Sequence, residues 1–317
     1  MTASPATITS APHLDPEHPR TMSFAILGAA KSGTTWMQRL LSAHPQVHCA
    51  ESRAFGTYFD PKHPTAIHIT IDSFVDNLRR YYHPPADAGD GFYERMLFSI
   101  LDAIGQTTLT ESGKAIYGEK ITPYWDTGEQ VLERLAAYNP ALRFVHLVRD
   151  PRDVVVSGFV HQANIHIGSN HTEADRYRHL LDNQQIDDEQ LDSLLSLWID
   201  SNRAAANAAS RLDHTHLLRY EDLLAAPTEQ ARALFEFIGA DTNPATVEHS
   251  TQQASFRALS GGRDRGEEDR TNFFRKGIAG DWVNWLSEPQ TQRIVEQAGD
   301  LMERFGYSTG NNTENDP

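Results

Sequence analysis

The chain has 317 residues, of which 39% are hydrophobic and 22% are charged, so it can bury a sizeable core. Its formal net charge of −15 argues against nucleic acid or an anionic membrane surface as a partner, but it allows a small anionic ligand where cations gather locally. The single cysteine, Cys49, excludes a disulfide within the chain and is typical of a reducing compartment, so we expect a cytoplasmic protein.

Both ends of the chain have the composition of segments outside a folded domain. Residues 1–22 are rich in Pro, Thr and His and do not resemble a secretory signal, and residues 308–317 are polar. We therefore expect a disordered arm, a single domain over residues 23–307, and a disordered tail. No run reaches the roughly 18 apolar residues that a membrane span requires, so no membrane association is predicted.

The first predicted element is a strand that leads into a phosphate-binding loop. Residues 24–27 are apolar, residues 28–33 read Gly-Ala-Ala-Lys-Ser-Gly, and apolar residues then recur at helical spacing from about Thr34 to His44. Backbone N–H groups at a helix N-terminus attract anions, and Lys31 adds a full positive charge. The segment therefore predicts a phosphate site, in which further hydrogen bonds come from the hydroxyls of Ser32, Thr34 and Thr35.

The order of residues in this loop differs from that of ATPases. The nucleotide-triphosphate loop places Ser or Thr directly after Gly-Lys, where the hydroxyl binds Mg²⁺, whereas the order here is Lys-Ser-Gly-Thr-Thr. This order favours a phosphate ligand that is bound without a metal. A P-loop nucleotide kinase or NTPase is the alternative from a different class.

The later predicted elements alternate strands with helices. Residues 143–148 are short, apolar and β-branched, which predicts a strand, and Asp150-Pro151 supplies an N-cap and a first-turn proline for the next helix. Further strands are predicted at residues 115–118 and 215–219, and further helices at residues 71–80, 92–104, 129–138, 189–210, 228–238 and 288–305. Polar residues 163–188 and 257–276 predict a mobile excursion and a flexible loop. The alternation is typical of an α/β fold with a doubly wound parallel sheet flanked by helices.

Two further groups of cations follow predicted elements. Arg149 lies at the carboxyl end of the strand at residues 143–148, where open α/β sheets bind ligands, and Ser157 lies about two turns into the next helix. Arg275 and Lys276 adjoin Gly277 on a predicted loop that could close over an anion. Taken singly, each group also fits a solvated surface cluster.

Together the three segments resemble the sulfotransferases that use 3′-phosphoadenosine 5′-phosphosulfate (PAPS). The family pattern covers roughly residues 23–305 in order and includes the Leu-Arg-Tyr-Glu-Asp-Leu segment at residues 218–223. The resemblance implies a site for the 5′-phosphosulfate, a site for the 3′-phosphate and residues that border the adenine. These are, in turn, Lys31, Ser32, Gly33, Thr34, Thr35 and Trp36; Arg149, Ser157, Arg275, Lys276 and Gly277; and Tyr220 and Phe256, with Trp36 stacking there too.

The residue that removes the acceptor proton departs from the cytosolic pattern. Small-molecule members supply a histidine in a Lys-Thr-His-Leu-Pro segment, whereas residues 117–124 read Tyr-Gly-Glu-Lys-Ile-Thr-Pro-Tyr, closer to the Glu-Lys-x-Pro of carbohydrate-type members. The resemblance therefore implies Glu119 as general base and Lys120 as a charge partner of the transferring group, while Lys31 is suited to neutralise the leaving 5′-phosphate. A structural Glu119–Lys120 pair is the alternative, and His161 is the best competing base.

The resemblance implies an O-sulfotransferase that moves a sulfuryl group in line, without metal, from PAPS to a small alcohol, phenol or sugar and releases PAP. Helical and loop insertions, at residues 50–115, 160–188 and before Arg275, are expected to form the acceptor site. A non-catalytic nucleotide-binding homologue is a third hypothesis. Residues 283–288 lack the lysine and Thr-Val of the family's dimerisation segment, so the family dimer is not expected and the oligomeric state stays open.

Overall fold

A computed structural model of the chain describes residues 20–51, 59–60, 63–64, 77, 80, 91–121, 135–136, 138–169, 172–210 and 212–310. Residues 1–19 of the predicted arm, residues 311–317 of the predicted tail and most of the helices predicted at 71–80 and 129–138 lie outside the described residues. Residues 77, 80, 135, 136 and 138 are helical.

Five parallel strands form the central sheet. In chain order the strands are β1 (Met22–Leu27), β2 (Val47–Glu51), β3 (Phe59–Asp60), β4 (His63–Pro64), β5 (Ile116–Ile121), β6 (Arg143–Val148) and β7 (Thr215–Arg219). The sheet has the order β2-β5-β1-β6-β7, and β3 and β4 form a separate antiparallel pair. The chain moves to opposite sides of β1 in the two halves of the sheet, so the carboxyl end of β1 lies where such folds bind ligands.

The bounds of ten α-helices lie within the described residues. They are α1 (Thr34–Ala43), α2 (Gly91–Ser112), α3 (Pro151–Gly168), α4 (Ala174–Asp182), α5 (Asp188–Ala209), α6 (Tyr220–Ala225), α7 (Pro227–Ile238), α8 (Pro244–Gln253), α9 (Phe256–Leu259) and α10 (Glu288–Arg304), with a 3-10 turn at Asp281–Asn284. The α/β fold with a parallel sheet flanked by helices, predicted from the sequence, is confirmed.

Alternating side chains of β1 and β6 bury both faces of the sheet. Phe24 and Val145 pack with residues of α1, α7 and α8 on one face. Leu27 and Phe144 pack with residues of α2 on the other face. A third cluster, around Trp198, joins α3, α5 and α10 beside the end of β6. Burial on both faces explains why these strands are mostly apolar.

Several predicted elements agree with the structure, and the polar segment at residues 163–188 does not. The strand at 143–148 is found as β6, and the Asp150 side chain accepts a 2.8 Å hydrogen bond from the backbone N–H of Arg152 at the start of α3. The mobile excursion predicted at 163–188 is wrong, because α3 continues to Gly168 and α4 follows it. The dense polar residues hide two core positions, since Tyr177 and Leu181 of α4 are buried against the cluster around Trp198.

The amino-terminal boundary of the domain also differs from the expectation. Arg20 and Thr21, assigned to the arm from their composition, both bind the carboxylate of Asp102 in α2, at 2.6 and 3.0 Å. Met22, the last residue of the predicted arm, begins β1. The partner lies about eighty residues away in the chain, so local composition carries no sign of this contact.

Candidate active site at the carboxyl edge of the sheet

The loop between β1 and α1 is shaped by its backbone. Gly33, the N-cap of α1, has φ 97° and ψ 10°, and Lys31 also has a positive φ of 70°. A Cβ at Gly33 would lie 2.6 Å from the ring of Tyr220, so only glycine fits this position. Gly33 offers no side chain to cap α1, which leaves the first N–H groups of the helix facing the cavity at the edge of the sheet.

Lys31 brings its ammonium group into that cavity. Its Nζ lies 4.4 Å from the centre of the Phe273 ring, which holds it by a cation–π contact. Burial, together with the positive charges of Arg149, Lys120 and Arg275, lowers the pKa of Lys31 to about 8. A cation crowded by other cations is a group that gains stability when an anion arrives.

Lys120 and Glu51 form a pair on the same wall. The two residues are register partners of β5 and β2, and Lys120 Nζ lies 3.1 Å from Glu51 Oε1 and 3.2 Å from Thr35 Oγ1. The Lys120 side chain is almost completely buried, whereas the Glu51 side chain is 45% exposed. A carboxylate at the end of β2 therefore faces the cavity beside a buried ammonium group.

Glu119 lies on the opposite face of the sheet from Lys120. Because successive side chains of a strand alternate between faces, Glu119 points to the same side as Tyr117, which packs with Phe98 of α2. The Tyr117 hydroxyl donates a 2.7 Å hydrogen bond to Glu119 Oε1, and burial together with this carboxylate raises the pKa of Tyr117. The geometry does not support the general-base role that the sequence assigns to Glu119.

Arg149 is held at the end of β6 by the segment before the 3-10 turn. Its guanidinium donates to the carbonyl oxygens of Ile278 at 3.1 Å and Lys31 at 3.4 Å, and it forms an ion pair with Asp153 at 3.5 Å. Asp153 also accepts hydrogen bonds from the backbone N–H groups of Gly280 at 2.7 Å and Trp282 at 3.1 Å. Together with Ser157 of α3, Arg149 lines the cavity, as the sequence predicts.

The Arg275–Gly277 segment also lines the cavity. Arg275 and Lys276 both pair with the buried carboxylate of Asp281, each at 2.6 Å. Gly277 has φ 67°, and a Cβ there would lie 2.3 Å from the ring of Phe256. The backbone of Gly277 is therefore in direct contact with this ring, and the contact fixes the backbone position from which the side chains of Arg275 and Lys276 extend.

Three aromatic rings form a slot beside these cations. Trp36 donates from Nε1 to the carbonyl of Ala254 at 2.8 Å and meets the ring of Tyr220 edge-on at 5.5 Å. Tyr220 also carries the Arg149 guanidinium 4.3 Å above its ring, and Phe256 completes the lining. Such a slot suits a flat heterocycle next to a phosphate.

Positive charge dominates the cavity, which has a volume of about 420 Å³. Seven cationic side chains of the described residues line it, namely Lys31, Arg39, Lys120, Arg149, Arg265, Arg275 and Lys276. Among the described residues the only carboxylate on the wall is that of Glu51. A chain of net charge −15 thus has a local excess of positive charge in this cavity, as binding of a small polyanion requires.

The sequence predicts most of this wall and misses part of it. All the predicted donor-binding residues line the cavity except Ser32, which is buried below it with no hydrogen-bond partner for its hydroxyl among the described residues. Glu51, Arg39 and Arg265 were not predicted. A carboxylate that ends a strand is a signal that could have identified Glu51, but β2 itself was not predicted.

His161 also lines the cavity, one turn beyond Ser157 on α3. Burial and the charge of Lys31 lower the pKa of His161 to about 4. The imidazole is therefore neutral at physiological pH and has the protonation state that a proton acceptor needs.

The donor set fits a nucleotide with two phosphates. The cations of three chain segments, Lys31, Arg149 and Arg275, line one cavity together with the rings of Trp36 and Phe256. The buried Ser32 hydroxyl without a partner fits an additional donor to an anion. In the described part of the chain, no group of His, Cys, Asp and Glu side chains could hold a metal ion.

These features define an α/β protein with a polyanion site at the carboxyl edge of its sheet. The sequence profile of the sulfotransferase family matches residues 24–244, which is more than half of the chain. The chain therefore belongs to the sulfotransferase family.

Two curated relatives come from Arabidopsis thaliana. Cytosolic sulfotransferase 16 is 27% identical over 173 residues, which cover 49% of this chain and 49% of the relative. Cytosolic sulfotransferase 17 is 26% identical over 219 residues, which cover 64% of this chain and 58% of the relative. The chain thus spans about half the length of the curated relatives it matches.

A solved mouse structure, sulfotransferase SULT7A1 complexed with PAP, shares the fold. It aligns with a TM-score of 0.50 over 90% of this chain and 85% of the mouse chain, at 16% sequence identity. At this identity the likeness supports the fold alone. None of the described helices is both long and apolar enough to span a membrane.

Proposed function

We propose that the chain is a PAPS-dependent sulfotransferase that transfers a sulfuryl group to the hydroxyl of a small-molecule acceptor and releases PAP. The observation that carries this proposal is the convergence of three distant segments, at Lys31, Arg149 and Arg275, on one cationic cavity. The mouse sulfotransferase of the same fold was solved with PAP, which supports a nucleotide of this kind as ligand. A cytoplasmic setting is part of the proposal, because a single cysteine is typical of a reducing compartment.

Each end of the cavity has a role in binding the donor. Lys31, the N–H groups of α1 and the hydroxyls of Thr34 and Thr35 bind the 5′-phosphosulfate, because they combine a full charge with oriented donors. The buried Ser32 hydroxyl, which has no partner among the described residues, is an additional donor to the same group. The 3′-phosphate is bound by Arg149, Ser157, Arg275, Lys276 and the backbone of Gly277, and the adenine lies between Trp36, Tyr220 and Phe256.

The reaction is an in-line displacement at sulfur. The acceptor oxygen forms a new S–O bond, the bond from sulfur to the 5′-phosphate breaks, and the acceptor proton passes to a base on the protein. Negative charge grows on the departing phosphate, where Lys31 neutralises it, while Lys120 stands beside the transferring group. The protein therefore contributes mostly position and charge, as in phosphoryl transfer.

Glu51 is the base that the geometry favours over Glu119. Its half-exposed carboxylate lies on the cavity wall within 3.1 Å of Lys120, so it can reach an acceptor hydroxyl beside the sulfuryl group. Glu119 is buried on the other face of the sheet, where it binds Tyr117. His161, neutral and on the wall, is the competing base.

A transfer assay tests both the activity and the base. Labelled PAPS is offered with a panel of alcohols, phenols and sugars, without added metal, and PAP binding is measured separately by calorimetry. Glu51→Gln is expected to lower kcat by about 100-fold or more while PAP affinity stays within about 2-fold, because a general base acts only on the chemical step. Glu119→Gln is expected to keep its turnover.

The outcomes separate the hypotheses. Full turnover in Glu51→Gln together with loss in His161→Gln would assign the base to the histidine. Loss in Glu119→Gln alone would return the role to Glu119. A protein that binds PAP but transfers to no acceptor would be a non-catalytic homologue, and one that turns over ATP with Mg²⁺ but does not bind PAP would overturn the proposed function.

A further inference from the structure

The segment at residues 260–276, which carries two of the predicted phosphate-binding cations, is organised around one arginine. Arg263 donates to the carbonyl oxygens of four residues of this segment. The acceptors are Phe274 at 2.6 Å, Arg275 at 2.7 Å, Glu267 at 2.8 Å and Ser260 at 3.4 Å. A single guanidinium therefore ties the beginning of the segment to its end.

The same guanidinium reaches the aromatic slot. Its central carbon lies 5.4 Å from the centre of the Phe256 ring, and this ring is also in contact with the backbone of Gly277. Arg263 thus connects the ring that borders the adenine with the carbonyl of Arg275, whose side chain faces the 3′-phosphate. Arg263 itself does not line the cavity.

Other contacts fix the segment from outside. Arg270 donates to the carbonyl of Leu181 in α4 at 2.7 Å, and Asn164 of α3 donates to the carbonyl of Arg270. Two backbone bonds close the segment on itself, from Gly266 N–H to Lys276 at 2.8 Å and from Asp269 N–H to Arg275 at 3.0 Å. The flexible loop expected from the sequence is therefore, in this structure, a bonded unit.

Arginine is suited to this position in a way that lysine is not. A guanidinium offers five N–H donors in a planar fork, so it can serve several carbonyls in fixed directions, whereas an ammonium group has three donors on a flexible stem. A lysine in place of Arg263 would keep the charge of the residue and lose the geometry. Substitution by lysine therefore isolates the organising role from the charge.

We propose that Arg263 is a positioning residue that preforms the donor site by holding Phe256, Arg275 and Lys276 in register before the nucleotide binds. The inference rests on the proposed function, since it concerns the affinity for the donor. It predicts that the residue acts on donor binding and leaves the chemical step and the acceptor unaffected. Substitution of a residue that only stabilises the fold would not change donor affinity selectively while leaving kcat and the acceptor KM unchanged.

The test compares Arg263→Lys with Arg257→Lys in the full chain. Arg257 belongs to α9 and forms an exposed ion pair with Asp264, so it is a matched surface control. Arg263→Lys is expected to raise the Kd of PAP by at least about ten-fold, since several charge-assisted hydrogen bonds are lost. Its kcat at saturating PAPS and its KM for the acceptor should stay within about two-fold of the wild type, and Arg257→Lys should change none of these.

An unchanged Kd for PAP in a folded Arg263→Lys protein would overturn the inference, and so would an equal fall of kcat and donor affinity. If the variant does not fold, hydrogen exchange of the wild-type protein decides. The amides of Gly266 and Asp269 are expected to be protected without PAP, and exchange as fast as in an unfolded peptide would show that the site is not preformed. Failure of the wild type to bind PAP would instead refute the proposed function.

Discussion

Two segments bring phosphate-binding groups to the same cavity, and they are built in different ways. Residues 28–36 are shaped by local backbone geometry: two positive φ angles, a bond from Ser32 N–H to the carbonyl of Ala29, and the open end of α1. Residues 260–282 are held by side chains: Arg263 binds carbonyls within the segment, while Arg270 and Asp153 connect the segment to α4 and α3. The first segment is therefore shaped by its own backbone, whereas the second is held in place by side-chain contacts.

This difference determines how substitutions in each segment affect donor binding and catalysis. In the first segment the phosphate-binding groups are backbone N–H groups, the Lys31 ammonium group and the hydroxyls of Thr34 and Thr35, all of which belong to residues of the cavity wall. In the second segment the cations depend on supports that never face the ligand. Substitutions in the second segment should therefore weaken donor binding in graded steps, while loss of a ligand-facing group in the first segment should remove catalysis.

Removal of the Lys31 ammonium group is expected to cause the largest effect. Lys31→Ala should lower kcat by about 100- to 1,000-fold, because an oriented cation that meets growing charge contributes on this scale. Single-turnover transfer from labelled PAPS measures it. The control is Lys114→Ala at the opposite end of α1, where Nζ binds the carbonyls of Ser42 at 2.6 Å and Val47 at 2.7 Å. The control should lower thermal stability and keep kcat, and equal losses of kcat in both variants would contradict the assignment.

Crowding the second segment should have a smaller effect. Gly277→Ala is expected to raise the donor KM by about ten-fold or more, because its Cβ would lie 2.3 Å from the Phe256 ring. Gly280→Ala is the control: this glycine also has a positive φ, of 78°, but no atom lies within 4 Å of the added carbon. Both variants carry the backbone strain, of about 1 kcal/mol, and only Gly277→Ala carries the clash. Similar donor KM values for the two would show that strain alone matters.

Much of the fold could be predicted from the sequence, because its signals are local. β6 is a short, mostly apolar run that contains two valines, and α3 begins at an Asp-Pro pair, so both are predicted at the right residues. Residues 163–188 were misread because polar residues outnumber the few positions, such as Tyr177 and Leu181, that pack on the core. Those two side chains are buried by tertiary packing. The hydrophobic periodicity of the segment does not reveal this burial, because His, Asn and Asp residues weaken it.

The site divides in the same way. Lys31 and Arg149 follow strands at positions that motif and topology specify, and both are on the wall. Glu119 and Lys120 were both predicted to face the donor, but adjacent residues of a strand lie on opposite faces of the sheet, and the sequence motif alone does not specify which of the two faces the cavity. Glu51 was missed because β2 has only five residues and a mixed pattern, and because the carboxylate acquires its meaning from the register with Lys120.

The pH dependence of kcat/KM for PAPS tests the comparison further. Lys31 belongs to the first segment, and its pKa is lowered by cations that include Arg275 of the second. Burial, then Arg149, Lys120 and Arg275, lower the pKa of Lys31 to about 8 in the free protein. The cationic form binds the anionic donor, so kcat/KM for PAPS should be constant below pH 8 and fall about ten-fold per pH unit well above it. Bound phosphate favours the charged lysine, so the same limb in kcat should appear at higher pH.

Lys31→Arg is the variant that identifies the titrating group. A guanidinium stays charged throughout the accessible range, so the alkaline limb of kcat/KM should disappear whatever the remaining activity of the variant. Arg275→Lys should keep the limb, because the group that titrates is left in place. A limb that survives in Lys31→Arg would assign the titration to another residue, and the first segment would then contribute a fixed charge and oriented amides to the donor site without a titration of its own.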